Sequence, residues 1–346
     1  MKKSVILSIL SVFLITIFLG GCGSKDQTTL NVYNWGDYID SSVIKQFEKE
    51  TGIKVNYDTF ATNEEMYVKI NKGNASYDIA IPSDYMIEKM IKEGLVEKID
   101  FNNIPNYQYI EDRFKNLEFD PTNEYSVPYM WGTLGILYNK KMVDEPVDSW
   151  DILWNPKYEK QILMLDSQRD SLAVALKKLN YSMNSTNDAE LEAAKNALIE
   201  QRPLVLAYVG DEVKDKMIGE EAALAVVWGG DAVTMHRENP DLEYVIPKEG
   251  TNLFVDSIVI PSTAKHKAEA EKFIDFLCRT DIAFKNTDYI GYSTPHMEAR
   301  KQLDPELANN PIAYPEPEDL ENAEIFIDLG TYIEQYNRVW TEIKSH

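Results

Sequence analysis

The sequence predicts an α/β protein of two domains, and three observations predict it. The chain has 346 residues, too many for one average domain and enough for two packed ones. Hydrophobic residues make up 44% and charged residues 27%, a globular mixture that excludes wholesale disorder, collagen repeats and a polytopic membrane protein. From residue 30 onward, short apolar runs alternate with amphipathic helical patterns, the grammar of parallel βαβ units.

Leu30-Asn31-Val32-Tyr33-Asn34 reads as a strand. Asp40-Ser41-Ser42 caps a helix that carries Val43, Ile44 and Phe47 on one face and stops at Gly52. Residues 53–57 form a second strand, and 63–72 a helix with Met66, Val68 and Ile70 among its apolar positions and Gly73 as its stop. Asp78-Ile79-Ala80-Ile81-Pro82 is a strand, after which Ser83 caps a helix running to Gly94. The second half repeats the pattern. Residues 203–208 and 222–227 read as buried strands with a helix over 211–218 between them. Ser257-Ile258-Val259-Ile260-Pro261 is a strand feeding a helix over 266–278, in which Cys278 ends an apolar stretch as a small core residue. Residues 301–320 are rich in Pro, Asn and acids and read as a surface connection, followed by a final helix over 325–343.

The first 22 residues read as an address. Lys2 and Lys3 precede sixteen uncharged residues, and Leu19-Gly20-Gly21-Cys22 closes the segment. A basic start, an apolar middle and small residues before a cleavage point describe a secretory signal, and a bilayer-spanning helix would need a longer apolar run. Residues 23–29 are a polar tether. Cys22 and Cys278 are the only cysteines, so if Cys22 carries lipid there is no disulfide framework.

Composition narrows the chemistry. Lys and Arg total 35 against 57 Asp and Glu, a net charge of −22, which argues against sequence-independent nucleic-acid binding. Four scattered histidines show no metal-ligand spacing, and no G-x-S-x-G, Walker or Rossmann loop occurs. No cofactor and no catalytic residue is expected. A paired-carboxylate glycosidase leaves no local signature and stays open on these residues alone.

What recurs is aromatic and acidic residues together at predicted strand ends: Trp35-Gly36-Asp37-Tyr38, Tyr85 after Ser83-Asp84, Trp228-Gly229-Gly230-Asp231, Phe254-Val255-Asp256, and Gly291-Tyr292 beyond the next helices. Open α/β sheets bind ligands beyond the carboxyl ends of their strands, so these clusters can converge on one cleft. A carboxylate gives an ammonium group a charge-assisted hydrogen bond of roughly 1.5–3 kcal/mol. An aromatic face adds about 0.5–2 kcal/mol for the same cation and covers methylenes as well. A flexible alkyl chain with a charge at each end uses both.

Asn34-Trp35-Gly36-Asp37-Tyr38-Ile39, followed by Phe47-Glu48-Lys49-Glu50-Thr51-Gly52-Ile53-Lys54-Val55, resembles the spermidine/putrescine-binding proteins of polyamine ABC transporters. Tyr77-Asp78-Ile79-Ala80-Ile81-Pro82-Ser83, Pro128-Tyr129-Met130-Trp131-Gly132-Thr133, Val255-Asp256-Ser257 and Ile290-Gly291-Tyr292-Ser293-Thr294-Pro295 extend the likeness in the family's order over nearly the whole chain after residue 30. The leader likewise resembles the lipobox of bacterial lipoproteins, in which the residue matching Cys22 is lipidated.

The resemblance implies the periplasmic-binding-protein fold: two discontinuous α/β lobes with a hinge and a central cleft, here 30–132 plus 257–302 and 133–256 plus 303–346. It implies a monomeric, non-catalytic receptor that hands putrescine or spermidine to a membrane permease. Lipid would hold it at the outer face of the bacterial cell membrane. By family motif, Trp35, Tyr38, Trp228, Phe254 and Tyr292 would be aromatic walls, Asp37 and Asp256 ligand acids, and Tyr85 a contacting tyrosine.

Three departures from the spermidine binders stand out. Those carry Trp where Phe254 stands, Gln near Phe326, and two acids in the segment where this chain keeps only Asp170. Trp228-Gly229-Gly230-Asp231 with Phe254-Val255-Asp256 instead resembles the putrescine-preferring branch, whose acid lies three residues after the tryptophan. This resemblance favours putrescine as the ligand, with spermidine also expected to bind; a sugar receptor on the same fold is the nearest rival, and a secreted glycosidase using Asp37 and Asp256 or Asp231 the more distant one.

Overall fold

The first strand, β1 (Thr29–Trp35), buries Leu30 and Val32 on one face and Tyr33 on the other, because successive strand side chains point to opposite faces. It is seen in a computed structural model that describes residues 27–73 and 76–346; the leader, Cys22 and most of the tether lie outside the described residues. On one side β1 pairs in parallel with β2 (Lys54–Phe60), on the other with β3 (Ile79–Ala80). Between β1 and β2 runs α1 (Ser41–Thr51). Asp40 accepts the Ser42 N–H at 2.8 Å, and Gly52 ends the helix at φ 74°, a left-handed conformation that costs glycine little. Next come α2 (Asn63–Asn71), capped by Thr62, and α3 (Asp84–Lys92). Ser83 sits at the cap position of α3 but makes no capping bond with its side chain.

After β4 (Val96–Glu97), the chain enters its longest strand, β5 (Ser126–Asn139). The second half then supplies β6 (Ile162–Leu165), α4 (Gln168–Lys178), α5 (Asp188–Gln201), β7 (Val205–Val209), α6 (Val213–Ile218), β8 (Leu224–Trp228), α7 (Gly229–Glu238) and β9 (Leu242–Val245). In β8, Leu224 and Val226 face one core and Ala225 and Val227 the other, as a strand covered on both faces requires. β10 (Leu253–Pro261), α8 (Lys267–Leu277) and α9 (Thr280–Ile290) complete the first half, where Phe47 of α1 packs edge-on against Phe273 of α8 at 4.8 Å. Two short helices, α10 (Met297–Arg300) and α11 (Pro305–Ala308), and the long α12 (Ile333–Ser345) close the chain.

The sheet is not wholly parallel. Its order is β2-β1-β3-β10-β5-β8-β6-β7, and β10 and β5 run antiparallel to each other and to their outer neighbours. β5 pairs with β10 up to Thr133, then with β8 and β9 from Leu134 onward, so one strand joins the two halves. Sequence periodicity does not reveal β5, because Pro128, Gly132 and Gly135 interrupt it as breakers. The glycines are there for space: a Cβ on Gly132 would stand 2.7 Å from Cζ of Phe254, and one on Gly135 would enter the Tyr244 ring.

The final helix begins at Ile333 rather than at residue 325. Asn184 takes the backbone of the preceding segment, accepting the Ile327 N–H at 3.1 Å and donating to the Ile325 carbonyl at 2.9 Å. That segment stays irregular and buries Phe326. The strand expected from residue 203 starts at Val205, after a 3-10 turn over Arg202–Leu204. The helix expected from Asp211 starts at Val213, which leaves Asp211 in the preceding loop.

Candidate functional site

The loops at the carboxyl ends of β1, β2, β3, β6, β7 and β8 open onto one cavity of about 150 Å³. All ten residues singled out from the sequence line it: Trp35, Asp37, Tyr38, Tyr85, Asp170, Trp228, Asp231, Phe254, Asp256 and Tyr292. The lining holds seven carboxylates, adding Glu64, Asp84 and Asp211, against two cations, Arg169 and Lys214.

Local rules put acids here. The first turns of α2, α3, α4 and α7 carry Glu64, Asp84, Asp170 and Asp231. Bare helix N-termini present positive dipole ends and would attract anions; a carboxylate in each first turn turns the cavity toward cations.

Tyr38, Tyr292 and Phe254 form one aromatic wall. Tyr38 meets Tyr292 edge-on at 5.0 Å, and Phe254 lies 6.1 Å from Tyr292. Tyr38 donates its O–H to Asp256 at 2.6 Å, and the Tyr129 hydroxyl locks the Tyr38 carbonyl at 2.6 Å. Gly230 lets the wall close, since a Cβ there would fall within the Tyr292 ring. Trp35 packs against Phe60 at 4.4 Å, and Trp228 precedes α7. Asp256 sits where the β10–β5 register slips, the kind of bulge that re-aims a side chain.

Burial pushes Asp256 up to about 6, against the hydrogen bond from Tyr38 that pulls it down. Asp231 is likewise raised to about 6 by burial, with Lys214 opposing and Asp211 adding to the rise. Asp170 reaches about 6 for the same leading reason, although Ser167 donates its hydroxyl to it at 2.6 Å. Oδ1 of Asp256 and Oδ2 of Asp231 are buried with no hydrogen-bond partner among the described residues. Such atoms are rare and costly unless something fills the space beside them.

Asp84 differs. It is fully buried and accepts the N–H groups of Tyr85 at 2.7 Å and Val255 at 3.1 Å, so it ties α3 to β10. Burial raises it to about 8. Tyr85 bonds Glu64 through its hydroxyl at 3.0 Å and lies under the Arg169 guanidinium at 5.0 Å. Arg169 also stacks on Phe326 at 4.4 Å and donates to the Ile327 carbonyl and to Asn184. Asp37 is the most open of the sequence-identified acids and pairs with Lys214 at 3.0 Å.

Sequence reasoning did not place Glu64 or Asp211 in the cleft; both reach the cavity, and Glu65 is not part of its lining. It passed over Asp84, Arg169 and Lys214. For Lys214 the available signal was its place three residues after Asp211, in the loop and helix that follow β7.

Residues 42–315 match the bacterial extracellular solute-binding protein family. The chain is 39% identical over 324 residues to the spermidine/putrescine-binding periplasmic protein of Escherichia coli, covering 93% of each. Among solved structures it is similar to a spermidine/putrescine ABC transporter substrate-binding protein of Streptococcus pneumoniae, at 41% identity and a TM-score of 0.79, over 92% of this chain and 99% of that one. A lipoprotein of Treponema pallidum matches at 29% identity and a TM-score of 0.81, over 91% and 99%. With its two-lobed α/β fold and its cleft at the strand ends, this chain belongs to the bacterial extracellular solute-binding protein family.

Proposed function

We propose that this protein is the solute receptor of a polyamine ABC transporter and that its cleft holds putrescine in preference to spermidine. The observation that carries this reading is the pair of buried carboxylates, Asp231 and Asp256, each with one oxygen left unpartnered inside an aromatic-walled cavity. A diamine supplies an ammonium for each and methylenes for the rings between them. A cavity of about 150 Å³ is the size of an apolar site that holds benzene, a molecule with about as many heavy atoms as putrescine. Capture at micromolar concentration needs about −8 kcal/mol, within reach of two charge-assisted pairs and aromatic stacking after ordering costs. The relatives named for spermidine and putrescine support the ligand class.

In this reading, Trp35, Tyr38, Trp228, Phe254 and Tyr292 enclose the methylenes, Asp231 and Asp256 take the nitrogens, and Asp37, Tyr85 and Asp170 complete the rim. The lobes comprise 30–132 plus 257–302 and 133–256 plus 303–346, and they close on the ligand. The receptor is exported and monomeric, with lipid on Cys22 holding it beside its permease; the Treponema lipoprotein supports that form.

Calorimetry with putrescine, cadaverine, spermidine and spermine tests the proposal. Putrescine binds tightest if it is right, and tight spermidine binding without measurable putrescine binding refutes the preference. Asp231→Ser should weaken putrescine more than spermidine, and equal losses would remove the role assigned to Asp231. Competition by maltose would revive the sugar-receptor alternative.

A further inference from the structure

Lys214 stands at the Asp231 side of the cleft. Its ammonium lies 3.0 Å from Asp37, 3.7 Å from Oδ1 of Asp231 and 3.9 Å from Asp211. The lysine side chain is 18% exposed, whereas Asp37 and Asp211 are 72% and 62% exposed. Asp231 is 5% exposed and keeps Oδ2 without a partner. One carboxylate therefore offers one oxygen to the protein's own cation and the other to whatever enters the cavity. Beyond Asp231, the acids nearest the surface already share an ammonium.

We propose that Lys214 sets the length of ligand this cleft accepts: it occupies the place that the additional ammonium of a longer polyamine would take beside Asp37 and Asp211. This rests on the polyamine reading given above. A diamine ends at the free oxygen of Asp231 and never meets the lysine. A triamine lying along the same slot carries a further cation toward Asp37 and Asp211, where it meets the like charge of Lys214, whose 18% exposure leaves it less screened than the two acids. Selectivity by a built-in repulsion leaves affinity for the shorter ligand in place while rejecting the longer one. Arg169 cannot serve this way, because its guanidinium is held by the Ile327 carbonyl and Asn184 and stacked on Phe326.

The test measures dissociation constants for putrescine and spermidine by calorimetry on the full mature chain, as wild type, Lys214→Met, Lys214→Gln and Lys214→Arg. The spermidine-to-putrescine Kd ratio should fall at least tenfold in the Met and Gln variants and hold within threefold in the Arg variant, which keeps the charge. Circular dichroism identifies a Met variant that has not folded, and the Gln variant, which retains polarity, then decides. An unchanged ratio in the folded neutral variants overturns the proposal while leaving the polyamine reading intact. A wild type that binds neither amine overturns the polyamine reading, and this inference with it.

Discussion

Replacing Asp256 with Asn separates what the cleft does for the ligand from what it costs the fold. The carboxyl is 5% exposed and its pKa rises from 3.8 to about 6, burial being the main cause. A raised carboxyl favours the folded state when protonated. That contribution is complete below the unfolded value of 3.8 and is lost as pH climbs through about 6. The displacement corresponds to roughly 3 kcal/mol at neutral pH. Asn keeps an oxygen for the Tyr38 hydroxyl but points an amide where Oδ1 had no partner, a cost of about 1–3 kcal/mol that offsets most of the gain. The ligand-free variant should therefore melt at or a few degrees above wild type at pH 7.5, with a flatter dependence between pH 4 and 7. Putrescine should bind about 10- to 100-fold more weakly, the worth of one charge-assisted hydrogen bond. Differential scanning calorimetry gives the first quantity and titration calorimetry the second. Unchanged putrescine affinity would refute the reasoning, as would a ligand-free variant that melts well below wild type.

Asp170, Asp231 and Asp256 all titrate near pH 6, so putrescine affinity should fall between pH 7.5 and pH 5 by about tenfold for each carboxylate the ligand needs; a flat profile would show that none of them pairs with it. Gly230→Ala drives a methyl into the Tyr292 ring, and we expect more than a tenfold loss of affinity with a smaller change in melting temperature. Arg169→Met removes the clamp on the segment that buries Phe326; a lost buried hydrogen-bond network costs about 2–4 kcal/mol, read as faster amide exchange over residues 325–329. Asp84→Asn removes one of two acceptors for buried N–H groups and should destabilise by about 1–3 kcal/mol in urea titrations near pH 4, the deficit shrinking as pH rises toward 8, because the wild-type carboxyl is raised to about 8 by burial and the amide carries no such penalty.

The strand–helix alternation of the first hundred residues was legible because its punctuation is local: Asp40 and Gly52 bound α1 by side-chain capping and a left-handed turn. The cleft residues were legible through chemistry, since Trp-Gly-Asp and Trp-Gly-Gly-Asp strings fall directly after strands β1 and β8. β5 was hidden because a strand buried on both faces and broken by two glycines shows no alternation. The spacing from Asp211 is the one local mark of Lys214 and is weak by itself: its partners Asp37 and Asp231 lie on other elements, and a lysine on a short helix reads as solvated surface. The start of α12 was misplaced because Asn184, more than a hundred residues away, captures the backbone that a helix would have used.

The glycines of β5 have a steric consequence. Pairing changes hands between Thr133 and Leu134, and the residues flanking that change, Gly132 and Gly135, leave the room that the rings of Phe254 and Tyr244 fill. The ring of Phe254 rests directly over the first of them. A guest that leans on this phenyl group therefore leans on the point where the two halves of the sheet meet, and bulk added at Gly132 should displace the ring and narrow the chamber in one stroke.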